Sequence, residues 1–122
     1  MSNIPSDEDF ERAKRLARER SRNLDDVCDR VREHFEGAAP LHSVYILPQR
    51  DVDFRAYVFF RTNADIERCE AAGLSREIRD QVYAELERAG RGRRDEIRVA
   101  FEFDSDENVN RNFEGDYLLR LR

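Results

Sequence analysis

The clearest pattern in the chain is a strong alternation over positions 97–104, in which large apolar residues alternate with Arg98, Ala100, Glu102 and Asp104. The apolar positions are Ile97, Val99, Phe101 and Phe103. Successive side chains of a β-strand point to opposite faces of the sheet, so this alternation predicts a strand with one buried face and one wetter face.

Three further segments have the composition of strands. Residues 42–47 end at Pro48, and residues 54–61 alternate between two faces. The short connection between these segments predicts an antiparallel hairpin. Residues 117–122 are predicted to close the chain as a last strand, after an Asp- and Asn-rich loop over residues 105–116.

Apolar residues in the first third of the chain recur at spacings of three, four and seven, which predicts one apolar stripe on a helix. The stripe consists of Phe10, Ala13, Ala17, Leu24, Val27, Cys28, Val31 and Phe35. Ser6 is the predicted N-cap. The polar stretch at residues 21–23 leaves two alternatives: one helix over residues 6–36, or a second helix that restarts at Asn23. Residues 1–22 are then part of the domain or a partly independent, frayed segment.

Two more helices are predicted, one over residues 62–73 and one over residues 76–89. The element order is therefore α-β-β-α-α-β-β. Short connections between strands favour a four-stranded antiparallel sheet with helices packed on one face, which is an α+β fold. The length of 122 residues fits a single domain over residues 1–122.

Composition and charge narrow the class of protein. Charged residues make up 40% of the chain, but 12 Phe and Tyr residues and a clear apolar pattern predict a folded domain. The net charge of −5 is spread along the sequence, and the basic cluster at residues 90–94 is followed by two acids. We therefore expect a protein partner or a homodimer rather than nucleic acid. Without a long apolar run or a basic leader, the chain is expected to be cytoplasmic, with no membrane contact.

One segment has part of the pattern of a calcium-binding loop. Asp104, Asp106 and Asn108 supply oxygen ligands at the first, third and fifth positions. The sixth position needs Gly for a sharp turn and holds Val109, and the twelfth needs a bidentate Glu and holds Gly115. The segment is therefore predicted to be a polar turn and not a metal site.

Other catalytic or cofactor chemistry has no complete motif. The soft metal ligands are Cys28, Cys69, His34 and His42, and none of them has the paired spacing of a zinc site. No Ser or Cys has a His in register to activate it. We expect no cofactor, two free thiols, and a binding protein rather than an enzyme.

The second face of the predicted sheet mixes aromatic and charged side chains. The candidate partner-binding residues are Arg55, Tyr57, Phe59, Arg61, Arg98 and Glu102. Exposed aromatic residues next to Arg are typical of binding hot spots. The same mixture can stack single-stranded bases. A homodimer interface, or coverage of this face by the N-terminal helix, are the remaining alternatives.

Four segments resemble the small bacterial immunity proteins of polymorphic toxin systems. They are residues 57–60 (YVFF), 82–86 (VYAEL), 101–105 (FEFDS) and 112–117 (NFEGDY), within residues 42–122. The resemblance implies a bacterial, non-enzymatic protein that binds and blocks one cognate toxin, and it assigns no residue a role. The predicted function is thus a small acidic protein-interaction module. The alternatives are a single-stranded nucleic-acid-binding domain and an enzyme without a recognisable motif.

Overall fold

The computed structural model describes residues 7–122, except for the side chains of residues 17 and 20. In chain order the elements are α1 (Asp7–Arg20), α2 (Leu24–His34), β1 (Leu41–Pro48), β2 (Phe54–Phe60), α3 (Asn63–Ala71), α4 (Leu74–Arg88), β3 (Val99–Ser105), α5 (Asp106–Asn112) and α6 (Tyr117–Arg120). The fold is α+β. No helix in this part of the chain is both long and apolar enough to cross a membrane.

The predicted hairpin is confirmed. β1 and β2 pair in antiparallel fashion, with Tyr45 opposite Tyr57 and Leu47 opposite Arg55. The register shifts between Leu41 and Ser43, where one extra residue interrupts the ladder. β2 is the central strand, so its side chains meet neighbours on both sides.

The prediction of a four-stranded antiparallel sheet is wrong. The described residues form a three-stranded sheet in the order β1-β2-β3, and β3 runs parallel to β2. The physical reason lies in α3 and α4, which carry the chain back to the end of the sheet where β2 began. A helical crossover of this kind is what joins parallel neighbours.

The predicted last strand is a helix instead. Asp116 caps α6 by accepting a hydrogen bond from the Leu119 N–H at 3.2 Å. The predicted loop before it contains α5, where the Ser105 hydroxyl accepts a hydrogen bond from the Asn108 N–H at 3.0 Å. The observed order is therefore α-α-β-β-α-α-β-α-α.

The alternatives for the first third of the chain are resolved in favour of two helices. Asn23 separates α1 from α2 with a left-handed φ of 64°. The stripe of α2 is buried, including Val27, Val31 and the following Phe35, whereas Phe10 on α1 is exposed. The predicted cap Ser6 lies outside the described residues.

The main core lies between one face of the sheet and the helices α2, α3 and α4. The alternate residues of β2 point into it, as predicted, and they meet the α4 stripe. Its most buried members are Val27, Val31, Ala56, Val58, Phe60, Ile78, Val82 and Leu86. Phe101 and Phe103 pack against this core from β3 but stay half-buried.

A second core covers the opposite face of the sheet. Tyr57, Phe59 and Val109 are buried there, and Phe113 and Tyr117 pack against them. The C-terminal helices α5 and α6 thus form a layer over this face. The prediction that helices pack on one face only is therefore wrong, because the sheet is covered on both sides.

Candidate functional site

The six residues predicted to bind a partner do not form one exposed surface. Tyr57 is 7% exposed and Phe59 is fully buried. Of the alternatives for this face, coverage is the one observed, but the covering elements are α5 and α6 and not the N-terminal helix. Arg61 and Arg98 are exposed but lie at opposite ends of the parallel β2–β3 pair.

The covering layer has a sequence signal that strand periodicity hides. Val109, Phe113, Tyr117 and Leu121 follow one another at intervals of four residues, and all of them pack in the second core. That interval is the spacing of one helix face. The same residues can be read as parts of a loop and a strand, because Asp, Asn and Gly lie between them.

Charged members of the predicted face form an ion-pair network at the rim of the second core. Arg55 contacts Glu102 at 3.4 Å, and Arg120 contacts Glu102 at 3.5 Å and Asp104 at 2.6 Å. The Arg120 guanidinium also lies 5.6 Å from the centre of the Tyr57 ring. Burial opposes the charge of Arg120, but both carboxylates outweigh it and raise its pKa.

The same network accounts for the calcium-like segment. The Asn108 side-chain amide donates to both oxygens of Asp104, at 3.0 and 3.1 Å, and Arg120 contacts one of them. Asp106 accepts a hydrogen bond from the Tyr117 hydroxyl at 2.6 Å. These oxygens already bind protein donors. Among the described residues no group of three or more His, Cys, Asp or Glu side chains is placed to hold a metal ion.

A second polar cluster joins the start of β1 to α5 and α6. His42 Nδ1 lies 3.1 Å from the Ser43 hydroxyl and 3.1 Å from the Tyr117 hydroxyl, and His42 Nε2 lies 3.5 Å from Asp106. The His42 and Tyr117 rings stack with centroids 5.7 Å apart. Burial, followed by the hydrogen bond to Asp106 and its charge, raises the pKa of Tyr117. The arrangement ties the C-terminal helices to the sheet.

This cluster could not be found from sequence spacing. His42 and Ser43 are neighbours, but Asp106 and Tyr117 follow them only after most of the domain. The cluster contains an imidazole, a hydroxyl and a carboxylate, the groups of a nucleophilic triad. Here the hydroxyls of Tyr117 and Ser43 both lie next to the same nitrogen, His42 Nδ1. Ser43 itself is buried.

The outer edge of β1 faces α2 and not another strand of the described chain. Within the described residues β1 pairs with β2 alone. The Gln49 N–H donates to the Asp53 carbonyl at 3.2 Å and continues the β1–β2 register. Because hydrogen-bonded pairs alternate in an antiparallel ladder, Val44 and Ile46 turn their backbone groups away from β2. This edge therefore has backbone donors and acceptors without a neighbouring strand. Val44 and Ile46 are nevertheless only 7% and 4% exposed, and the Ile46 N–H is bonded to Cys28.

A groove of about 350 Å³ runs between this edge and α2. Residues 43–47 line it from β1, and Asp25, Cys28, Asp29 and Arg32 line it from α2. Asp25 and Asp29 are exposed, and Arg32 lies 3.4 Å from Asp29. The groove thus has two carboxylates and one Arg on its α2 side and a strand edge on its other side. It is suited to an extended peptide segment that carries Lys or Arg.

Cys28 forms an uncharged part of the groove wall. Burial is the largest influence on its thiol, a hydrogen bond from the Ile46 N–H opposes it, and the charges of Asp25 and Asp29 add to it. Together they raise the pKa of Cys28 to about 11. The thiol is thus protonated at neutral pH and behaves as a small apolar side chain.

Comparison of the chain with models of protein families, with curated proteins and with solved structures finds no match. The resemblance to immunity proteins therefore stays a prediction.

The other edge of the sheet differs in character. On β3, the Val99 N–H donates to the Tyr83 hydroxyl at 3.4 Å. The Arg79 guanidinium lies 5.0 Å from the centre of the Phe103 ring and 5.9 Å from that of Phe101. Tyr83 and Arg79 of α4 thus approach this edge. Of the two outer edges of the sheet, the β1 edge is the one that lies beside the groove with Asp25 and Asp29.

Proposed function

We propose that this protein is a protein-interaction module that binds a basic, extended segment of its partner along β1. The observation that carries the proposal is the outer edge of β1, which has no partner strand among residues 7–122 and lies beside the groove that contains Asp25 and Asp29. Addition of a strand to an exposed sheet edge is a recurring mode of peptide recognition, in which main-chain hydrogen bonds give affinity and flanking side chains give specificity.

The groove supports both parts of this mode. The Val44 N–H and carbonyl and the Ile46 carbonyl offer hydrogen bonds, each of which contributes about 0.5–1.5 kcal/mol. The Ile46 N–H is already bonded to Cys28. Asp25 and Asp29 favour Lys or Arg on the incoming strand, and the net charge of −5 favours encounter with a cationic partner. An acidic segment would meet like charges at the same place.

Within this role, we propose that the partner is a toxin and that the protein acts as a bacterial, cytoplasmic immunity protein. The similarity of residues 57–60, 82–86, 101–105 and 112–117 to such proteins supports the proposal, together with the small size and acidic charge. Nucleic-acid binding through stacked bases is not supported, because Tyr57 and Phe59 are covered by protein.

Co-expression tests the role. The protein encoded by the adjacent gene is induced in a host whose growth it arrests, with and without this domain. We expect the domain to restore growth and to co-purify with that protein. A neighbour that is harmless, or an arrest that the domain does not relieve, would contradict the immunity role.

Two charge reversals test the site. We expect Asp25→Lys with Asp29→Lys to weaken partner binding at least tenfold by calorimetry, since two attractions become repulsions. Asp26→Lys with Glu33→Lys is the matched control, because it changes the charge of α2 equally outside the β1 groove. Equal effects of the two variants would show that overall charge, and not this groove, determines binding.

Hydrogen exchange adds a readout of the backbone. In the complex we expect the Val44 amide to exchange more slowly, because a new strand would accept its hydrogen. Binding without protection at Val44 would mean that the partner uses another surface, and strand addition would be abandoned.

A further inference from the structure

In the part of the chain that the structure describes, no other element covers the apolar side chains of helix α1, and only the Lys14 ammonium of the same helix lies over the Phe10 ring, at 5.4 Å. All of its described side chains are exposed, including Phe10 at 59% and Leu16 at 52%. Ala13 lies between them on the same side of the helix. At 14 residues the helix is about 21 Å long. Large apolar side chains on one exposed face mark a contact surface more often than a solvated one.

The charges of α1 are divided along its length. Residues 7–11 carry four acids and no base, for a net charge of −4. Residues 12–20 carry five bases and one acid, for a net charge of +4. Two copies of the helix placed antiparallel would set each acidic half against a basic half. Two parallel copies would oppose like charges along the whole length.

We propose that α1 binds α1 of a second copy of this chain, antiparallel, with Phe10, Ala13 and Leu16 at the contact. Such a contact is self-complementary and closes after two copies, so it gives a dimer and not a filament. The two short helices bury less surface than the roughly 1,200 Å² of a standard interface, so the dimer is weak and its population depends on concentration and salt.

The contact is separate from the β1 groove. It uses a different element and a different occupant, so each proposal can fail without the other. In a dimer the two β1 grooves would both stay available, and the module would present two copies of its binding edge to a multivalent partner.

Sedimentation equilibrium of the full chain tests the pairing. At low salt we expect a reversible monomer–dimer equilibrium whose dissociation constant rises at least tenfold in 1 M NaCl. Phe10→Ser with Leu16→Ser should shift the protein to monomer. The control Leu118→Ser removes an even more exposed apolar residue from α6 and should leave the equilibrium unchanged.

A mixing experiment tests the charge pattern. Asp7→Lys with Asp9→Lys brings the first half of α1 to zero net charge, and Arg12→Glu with Lys14→Glu does the same for the second half. Each variant alone should dimerise at least tenfold more weakly. Mixed together they should form heterodimers, since one charged half of each still meets its opposite.

Some results would overturn the dimer itself, and others would overturn the role of charge in it. A chain that stays monomeric at millimolar concentration overturns the proposal, and so does association that Leu118→Ser abolishes. Association that strengthens with salt, or variants that mix no better than they self-associate, would mean that charge does not align the helices. Circular dichroism of each variant establishes that α1 remains helical, and a variant that loses helix is replaced by its Asn or Gln counterpart.

Discussion

Glu85 is a buried acidic side chain of α4, and only one of its two carboxyl oxygens is hydrogen-bonded in the described part of the chain. It is 6% exposed, and Gln81 donates to its Oε1 at 3.1 Å. Its Oε2 has no hydrogen-bond partner in the described part of the chain. A buried carboxylate oxygen without a donor is unfavourable by about 1–3 kcal/mol. Glu85 thus lowers the stability of the core that its neighbours Val82 and Leu86 build.

We therefore expect Glu85→Met to raise the free energy of unfolding by about 1–2 kcal/mol, because it removes the unsatisfied oxygen and keeps the volume. Urea denaturation measures the change. Glu87→Met, at an exposed position two residues on, is the control and should change stability by less than about 0.5 kcal/mol. A lower free energy of unfolding for Glu85→Met would indicate that the Glu85 carboxyl group has a hydrogen-bond partner in solution.

Asp65 shows the opposite balance at the start of α3. Burial acts to raise its pKa, but hydrogen bonds from the Thr62 hydroxyl and the Thr62 N–H, with the Arg68 charge, outweigh burial and hold the pKa below 3.8. A depressed pKa in the folded state means that Asp65 stabilises the protein above the unfolded pKa of about 3.9. That stabilisation is lost as the pH falls through the lower, folded value.

From this sign we expect Asp65→Asn to lower the free energy of unfolding at pH 7 by about 1 kcal/mol, as loss of a capping residue does. The difference from the wild type should shrink below pH 4. Thermal unfolding from pH 7 to pH 2.5 measures it. A difference that stays constant over this range would show that the charge of Asp65 does not contribute.

At the scale of the elements, α5 and α6 cover the second face of the sheet. Phe59 is fully buried beneath them, so Phe59→Ala should lower the free energy of unfolding by about 3–5 kcal/mol. Leu118→Ala, at 80% exposure on α6, should change it by less than about 0.5 kcal/mol. Chemical denaturation separates the two. A small effect of Phe59→Ala would mean that the second core is loosely packed.

Local sequence predicts most of the elements but not their arrangement. Alternation over residues 97–104 and 54–61 predicts β3 and β2, and the stripe of α4 predicts its buried face. The direction of β3 depends on where the α3–α4 crossover returns the chain, which no local pattern contains. The apolar residues between Tyr117 and Leu121 are compatible with the period of a strand and with that of a helix. The N-cap hydrogen bond of Asp116 favours the helix.

The sequence predicts which side chains share the second sheet face but not what covers that face. Aromatic and Arg side chains do gather on the second sheet face, where Arg120 contacts Tyr57 and Asp104. They form an internal network, because α5 and α6 bring a matching apolar layer from a distant part of the sequence. The β1 edge was missed, since a free edge follows from strand order alone.

In the molecule as a whole, β2 belongs to both cores. Phe59 and Phe60 are adjacent, yet Phe59 packs under α6 while Phe60 packs toward α4. We expect the two layers to unfold together, because neither retains its sheet without this strand. Phe59→Ala and Phe60→Ala should each shift one common transition, measured by far-ultraviolet circular dichroism and by tyrosine fluorescence. Transitions that differ between the two probes would show two independently stable units.

The position of α5 and α6 in the chain also has a consequence during synthesis. The layer over Tyr45, Tyr57 and Phe59 comes from residues 106–121, which leave the ribosome after all three strands. A nascent chain with its hairpin already formed exposes these rings until those residues clear the exit tunnel. This interval is when the hairpin is most open to chaperones and to aggregation.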